Sequence, residues 1–182
     1  MAGTKRVYQL KITLEGIRPP IWRRILVPQD TTLDKLHFIF QEAMGWHDCH
    51  LHAFQVGYDT YGEPDPELDM INEKRVKLSG LGLQVNAKFD YEYDFGDSWT
   101  HRILVEKILP AEESAVYPVC IKGKRACPPE DCGGPWGYES LLEAISDPKH
   151  EEHEEMREWL AEEFDPEEFD IEKVNKSLLR LK

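Results

Sequence analysis

YEYDFGDSWTH, residues 91–101, reads as two strands joined by a tight turn, and the fold follows from it. Upstream, Lys88 to Tyr93 alternates apolar and polar residues. Downstream, Arg102 to Leu109 is rich in Ile, Leu and Val. Gly96 lets the backbone reverse between them. The turn gathers Asp94, Asp97 and His101 among Tyr93, Phe95 and Trp99. Two carboxylates and an imidazole at one turn can ligate a cation or move a proton, and they can also simply cap the turn.

Working outward, Val7 to Leu14 alternates and predicts a strand, Gly16 to Pro20 a turn, and Ile21 to Val27 a second, antiparallel strand. Thr31 or Thr32 is placed to cap a helix over Leu33 to Met44, whose apolar stripe is Leu33, Leu36, Ile39 and Phe40 and which Gly45 ends. His50 to Gly57 predicts a third strand. Asp59 to Asn72, with Gly62, Pro64 and Pro66, reads as a long exposed loop. Val76 to Val85 reads as a bend or short strand. Residues 110–136 form a Cys/Pro/Gly loop. Helices follow over Tyr138 to Ile145, His150 to Phe164 and Ile171 to Leu181, broken at Pro148 and Pro166. The expectation is an α+β fold in one domain over 1–182. A body over 1–109 has a mixed or largely antiparallel sheet on one packed helix, with a grasp-like sheet as one version. The loop 110–136 and an acidic helical part over 137–182 complete it.

The net charge of −13 is local. Glu139 to Glu172 holds 15 acidic and 2 basic residues, and the rest of the chain is balanced. Such a surface disfavours wrapping nucleic acid around the whole protein. Lys5, Arg6, Lys11, Arg18, Arg23 and Arg24 give the N-terminal segment the opposite sign. No apolar run approaches the ~20 residues of a membrane span, and MAGTKRVYQL lacks a signal-peptide apolar stretch, so the cytoplasm is the expected compartment.

Four motifs, WRR at 22–24, GWHDCHLHAF at 45–54, YDFGDSWTH at 93–101 and ACPPEDCGGPWGY at 126–138, occur in this order. With them the chain resembles the plasmid Ri ORF-three-like family, over roughly Val7 to Leu181. The resemblance implies an α+β fold and a prokaryotic, mobile-element-associated setting. It implies no catalytic residue. The resolvase-like label sometimes attached to such proteins finds no nucleophilic serine among arginines here, and no basic helix-turn-helix tail.

Several residues carry chemistry. His50 and His52 would share one face of a strand and offer a two-ligand start for zinc, completed by Asp97 or His101; the bland alternative is a partly wet edge. Cys120, Cys127 and Cys132, spaced C-x6-C-x4-C, could hold zinc with Cys49 or a histidine, or be buried thiols; loop length also allows a Cys127–Cys132 disulfide, which a cytoplasmic setting disfavours. Trp22 with Arg23 and Arg24 forms a basic-aromatic strand with one arginine on each face. HEEH at 150–153 lacks the spacing of a metalloprotease helix. Two functions follow. One is an accessory or interaction module whose cleft of Trp22, Arg23, Trp46, Tyr93, Asp94, Asp97, Trp99 and His101 binds a ligand, a protein segment or a nucleic-acid end. The other is a hydrolase or nuclease that uses zinc or another divalent cation on Asp94, Asp97, His101 and His50 or His52.

Overall fold

The computed structural model describes residues 5–65, 67–160 and 163–181. Pro66 of the expected loop, Ala161 and Glu162 of the expected acidic helix, and the first residues of the N-terminal segment lie outside these. Eight strands form one mixed sheet: β1 (Arg6–Leu14), β2 (Trp22–Pro28), β3 (His52–Val56), β4 (Asp59–Gly62), β5 (Ile71–Asn72), β6 (Lys88–Tyr93), β7 (Trp99–Pro110) and β8 (Val119–Lys124). Their order across the sheet is β5-β4-β3-β6-β7-β1-β2-β8. Every neighbouring pair is antiparallel except β4 with β5. Among the described residues four helices accompany it: α1 (Leu33–Met44), α2 (Gly134–Ser146), α3 (His153–Leu160) and α4 (Ile171–Leu178). The chain is thus α+β with C-terminal helices.

The expected turn at 94–98 closes the β6–β7 hairpin, in which Tyr93 pairs with Trp99 and Tyr91 with His101. Period-2 alternation sends Phe89, Tyr91, Tyr93, Trp99, His101, Ile103 and Val105 to one buried face. Leu10, Ile12 and Leu14 of β1 and Ile25 and Val27 of β2 continue that face. α1 lies on it with Leu33, Leu36, Ile39 and Phe40, and the Phe40 ring meets Tyr91 at 5.2 Å and Phe54 at 6.0 Å. Burying each such side chain favours folding by roughly 1.5–3 kcal/mol.

Gly45 ends α1 in the left-handed region and gives its N–H to the Gln41 carbonyl. Thr32 occupies the N-cap, but its side chain makes no capping bond. The Leu33 N–H goes instead to the Val76 carbonyl, so the segment after β5 satisfies the helix start.

Two loops proved partly regular. Residues 59–72 contribute β4 and β5, and residues 110–136 contribute β8. Gly62 and Gly123 broke the strand pattern in the sequence, yet each is a close-approach position. A Cβ at Gly62 would strike Met70, and one at Gly123 the Phe169 ring. Val76 to Val85 is a pair of bends around the 3-10 turn Leu78–Leu81. α4 packs on α1 and β8, and α2 packs on α3.

Candidate functional site

The hairpin turn is built by Asp94. Its Oδ1 accepts the N–H groups of Gly96 (3.0 Å) and Asp97 (3.3 Å), and its carbonyl accepts the Ser98 N–H (2.6 Å). Asp94 adopts φ 58°, a left-handed conformation that Asp tolerates better than most residues because its side chain bonds locally. With Oδ1 occupied, Oδ2 turns toward His50.

Asp97 faces the opposite way. Its Oδ2 accepts the Gly133 N–H (3.0 Å) and so anchors the CGGPWG segment. That segment approaches too closely for side chains. Gly134 sits at φ +68°, where a Cβ would lie 2.5 Å from the Asp97 carbonyl oxygen, and a Cβ at Gly137 would overlap the Cys132 carbonyl.

The preceding CPPEDC residues clamp onto the end of α1. The Trp46 indole N–H donates to the Pro128 carbonyl (2.9 Å). Glu130 accepts the His47 N–H (2.8 Å) and the Tyr93 hydroxyl (3.1 Å), and that hydroxyl accepts the Cys49 N–H (2.9 Å). This places Glu130 and Asp131 beside His50. His50 Nε2 lies 3.1 Å from Asp131 Oδ1, 3.7 Å from Asp94 Oδ2 and 3.8 Å from Glu130 Oε2. The nitrogen is buried, yet none of the three oxygens is directed to make a hydrogen bond with it. Three of the four family motifs therefore meet at one imidazole nitrogen.

His50 also lines a cleft of about 500 Å³ with His37, Asp48, His52, Glu73 and Phe95 among its walls. Inside it the His37 and His52 rings stack at 3.5 Å, nearly parallel. His37 Nε2 meets Asp48 Oδ1 at 2.8 Å, and His52 Nε2 meets Glu73 Oε2 at 2.9 Å. Burial, with His52 adding to it, lowers His37 to a pKa of about 4, against the pull of Asp48. Asp48 and Asp131 also have positive φ, so Asp48, Asp94 and Asp131 are three of only six such non-glycine residues described. Left-handed backbone at non-glycine residues concentrates at functional sites.

The expected residues divide sharply. His50 and Asp94 come together. His52 does not join them: its strand starts only at His52, and residues 48–51 are irregular, so the two histidines diverge into separate groups. His101 is fully buried, with Nδ1 3.3 Å from the Tyr91 carbonyl and its ring edge-on to Trp46. Burial holds its pKa down to about 4. Trp46, Tyr93 and Trp99 are buried as well, and Trp46 edges a separate cleft of about 710 Å³ with Arg23, His47 and Cys127. Trp22 points to the opposite, helix-free face, beneath Lys11 and Arg24.

Arg23 is buried and donates to three carbonyls, those of Ala43 (2.8 Å), Trp22 (3.0 Å) and Lys124 (3.0 Å). It ties α1 to β8. Cys120 is buried on β8, Cys127 and Cys132 are half-buried, and all four cysteines are free. Burial raises the Cys120 and Cys127 thiols and pushes Cys132 up to about 12, where Asp97, Asp131 and Glu130 also oppose ionisation. Among the described residues, the two groups of three donors closing within 4.8 Å are His50–Asp94–Asp131 and His37–Asp48–His52, and neither includes a cysteine.

His37, Asp48, Glu73, Glu130 and Asp131 were not among the expected residues. His37 had a signal: it interrupts the apolar stripe of α1 between Leu36 and Phe40. Glu73 had none.

Among the described residues no helix is long and apolar enough to cross a membrane. The chain is 39% identical over 176 residues to "Uncharacterized protein y4hQ" of Sinorhizobium fredii, covering 94% of this chain and 90% of that one. It is also similar to a crystallised protein of unknown function, MM3350 from Methanosarcina mazei Go1. There the identity is 44% and the TM-score 0.87, over 93% of this chain and 98% of that one. Residues 6–173 match the family described as "Plasmid pRiA4b ORF-3-like protein", and the chain belongs to that family.

Proposed function

We propose that this chain binds a divalent cation at His50, Asp94 and Asp131, with Glu130 beside them, and that it uses the ion to hydrolyse a ligand held in the adjoining cleft. One observation carries the reading: an imidazole nitrogen without a hydrogen bond faces three carboxylate oxygens at 3.1, 3.7 and 3.8 Å. Ligand atoms about 2.0–2.2 Å from a tetrahedral ion lie roughly 3.4 Å apart, so these spacings bracket those of a coordination shell. No lysine or arginine forms a salt bridge to Asp94, Glu130 or Asp131 among the described residues, so their charge lacks a partner that a cation would supply.

A bound ion would polarise a carbonyl or phosphoryl oxygen and acidify a water. Asp131, with 71% of its side chain exposed, is the ligand best placed to take the proton as that water attacks and the bond to the leaving group breaks. A cytoplasmic setting suits both an unpaired set of thiols and this chemistry.

A second reading keeps the chain as an interaction module for a protein or nucleic-acid partner. It draws on Asp94 Oδ1 and Asp97 Oδ2, which backbone N–H groups already occupy. The test is calorimetric titration of metal-stripped protein with Mn2+, Zn2+ and Mg2+, followed by assays on model phosphomonoesters, phosphodiesters, carboxylic esters and amides. Cation binding that is lost in Asp131→Asn, with turnover of one class, supports hydrolysis. Binding without turnover of any class removes hydrolysis and favours the module.

A further inference from the structure

We infer that the cleft holds a second cation, of the zinc class, on His37, His52, Asp48 and Glu73. None of these residues belongs to the first group. They come from four separate segments: α1, the turn after it, the start of β3 and the 3-10 turn Glu73–Arg75. The fold nevertheless sets the ligand atoms of His37, Asp48 and His52 within 4.8 Å of one another, and Glu73 closes on His52 at 2.9 Å.

Charge is the first argument. Glu73 is buried, and among the described residues its one salt bridge is to His52 and that of Asp48 is to His37. No lysine or arginine pairs with either carboxylate among the described residues. Two carboxylates thus meet two stacked imidazoles, with no lysine or arginine paired to them among the described residues. A divalent ion would supply the countercharge; His37, Asp48 and His52 lie close enough to share it, and Glu73 stands beside His52.

Ring orientation is the second. His37 Nδ1 is engaged by the Tyr91 hydroxyl at 2.7 Å, and Gln41 donates to that same hydroxyl at 3.0 Å. Gln41 also accepts the Asp48 N–H at 2.9 Å. One buried glutamine thus fixes the hydroxyl behind the histidine and the backbone of the aspartate in front of it. With the ion on Nε2, His37 Nδ1 carries the proton and donates it to the Tyr91 hydroxyl, the kind of outer partner that orients a ligating imidazole. The donor set selects the ion. Two imidazole nitrogens with two carboxylates suit zinc and its neighbours, whereas magnesium prefers oxygen and water. To admit the ion the Nε2–oxygen contacts must open by about half an ångström, and the two rings, now parallel within 6°, must splay so that both Nε2 atoms converge on it; the Asp48 side chain, on an exposed turn, has room to move.

The alternative is two neutral-to-charged hydrogen-bonded pairs with no ion. Metal-stripped full-length protein, titrated with Zn2+ and with Co2+ followed by its visible absorption, separates them. Wild type should take up two equivalents, His52→Gln and Glu73→Gln one each, and Asp131→Asn one. In wild type, 1H–15N correlation spectra should show the Nε2 resonances of His37 and His52 shifting on zinc addition, a readout that needs no variant to fold. One equivalent, lost in His52→Gln but kept in Asp131→Asn, supports this site and removes the first. One equivalent lost only in Asp131→Asn, with His37 and His52 unshifted, overturns this site and leaves the first. No uptake overturns both.

Discussion

His50 and Asp131 stand 3.1 Å apart, Nε2 to Oδ1, although six strands of the sheet lie between them in the chain. Among the described residues Asp131 has no other salt bridge, and its exposure means the fold does not depend on it. Asp131→Asn should weaken divalent binding tenfold or more, about 1.4 kcal/mol. It should leave the metal-free stability within about 0.5 kcal/mol. Calorimetric titration and thermal melts of the same preparation check both halves.

Asp97 makes the opposite prediction. It bonds to Gly133 at the start of α2 and belongs to neither donor group. Asp97→Ala should lower stability by about 0.5–2 kcal/mol, as loss of a capping carboxylate does. Cation stoichiometry should stay that of wild type. Urea unfolding with the same titration decides; loss of an ion would place Asp97 back among the ligands.

Gly137→Ala tests the loop that delivers Glu130 and Asp131. The added methyl would overlap the Cys132 carbonyl, and backbone gives way less readily than a side-chain end. The variant should lose about 1–3 kcal/mol of stability and bind cations more weakly than wild type. An unchanged melt with intact binding would show that the loop shifts freely.

His101 gives a pH dependence. Its pKa falls to about 4 in the folded protein, chiefly through burial, against an ordinary value of 6.5. The unfolded chain therefore binds more protons than the folded one between those values. Stability rises with pH across that window and is lost as pH falls from 6.5 toward 4. The contribution amounts to about 3 kcal/mol at most. Denaturant midpoints across this range should fall with acid in wild type and fall less steeply in His101→Phe, where His37, also lowered by burial, keeps its own share of the slope.

The fold was legible where hydrophobic period and punctuation agree. α1 runs from Leu33 to Met44 as its stripe and Gly45 predict, and β1, β2, β6 and β7 carry clean alternation. The short strands β4 and β8 were hidden by glycines that serve close packing against Met70 and Phe169 rather than turns, and β5, two residues long, is too short to show a period. Of the site, His50 and Asp94 stood out because they lie in dense local motifs. The cysteine loop also stood out, but for its thiols. Its contribution to the His50 group is instead Glu130 and Asp131, carried there by bonds from Trp46, His47 and Tyr93 that no local pattern encodes. His101 misled for a physical reason: a strand register that alternates faithfully sends it into the core.

The most direct measurement is the metal content and cation titration of metal-stripped protein, paired with Asp131→Asn and His52→Gln. The account predicts two equivalents of zinc in wild type and the loss of a different one in each variant. Absence of any saturable uptake of Zn2+, Mn2+ or Mg2+ by the folded wild-type protein would contradict it.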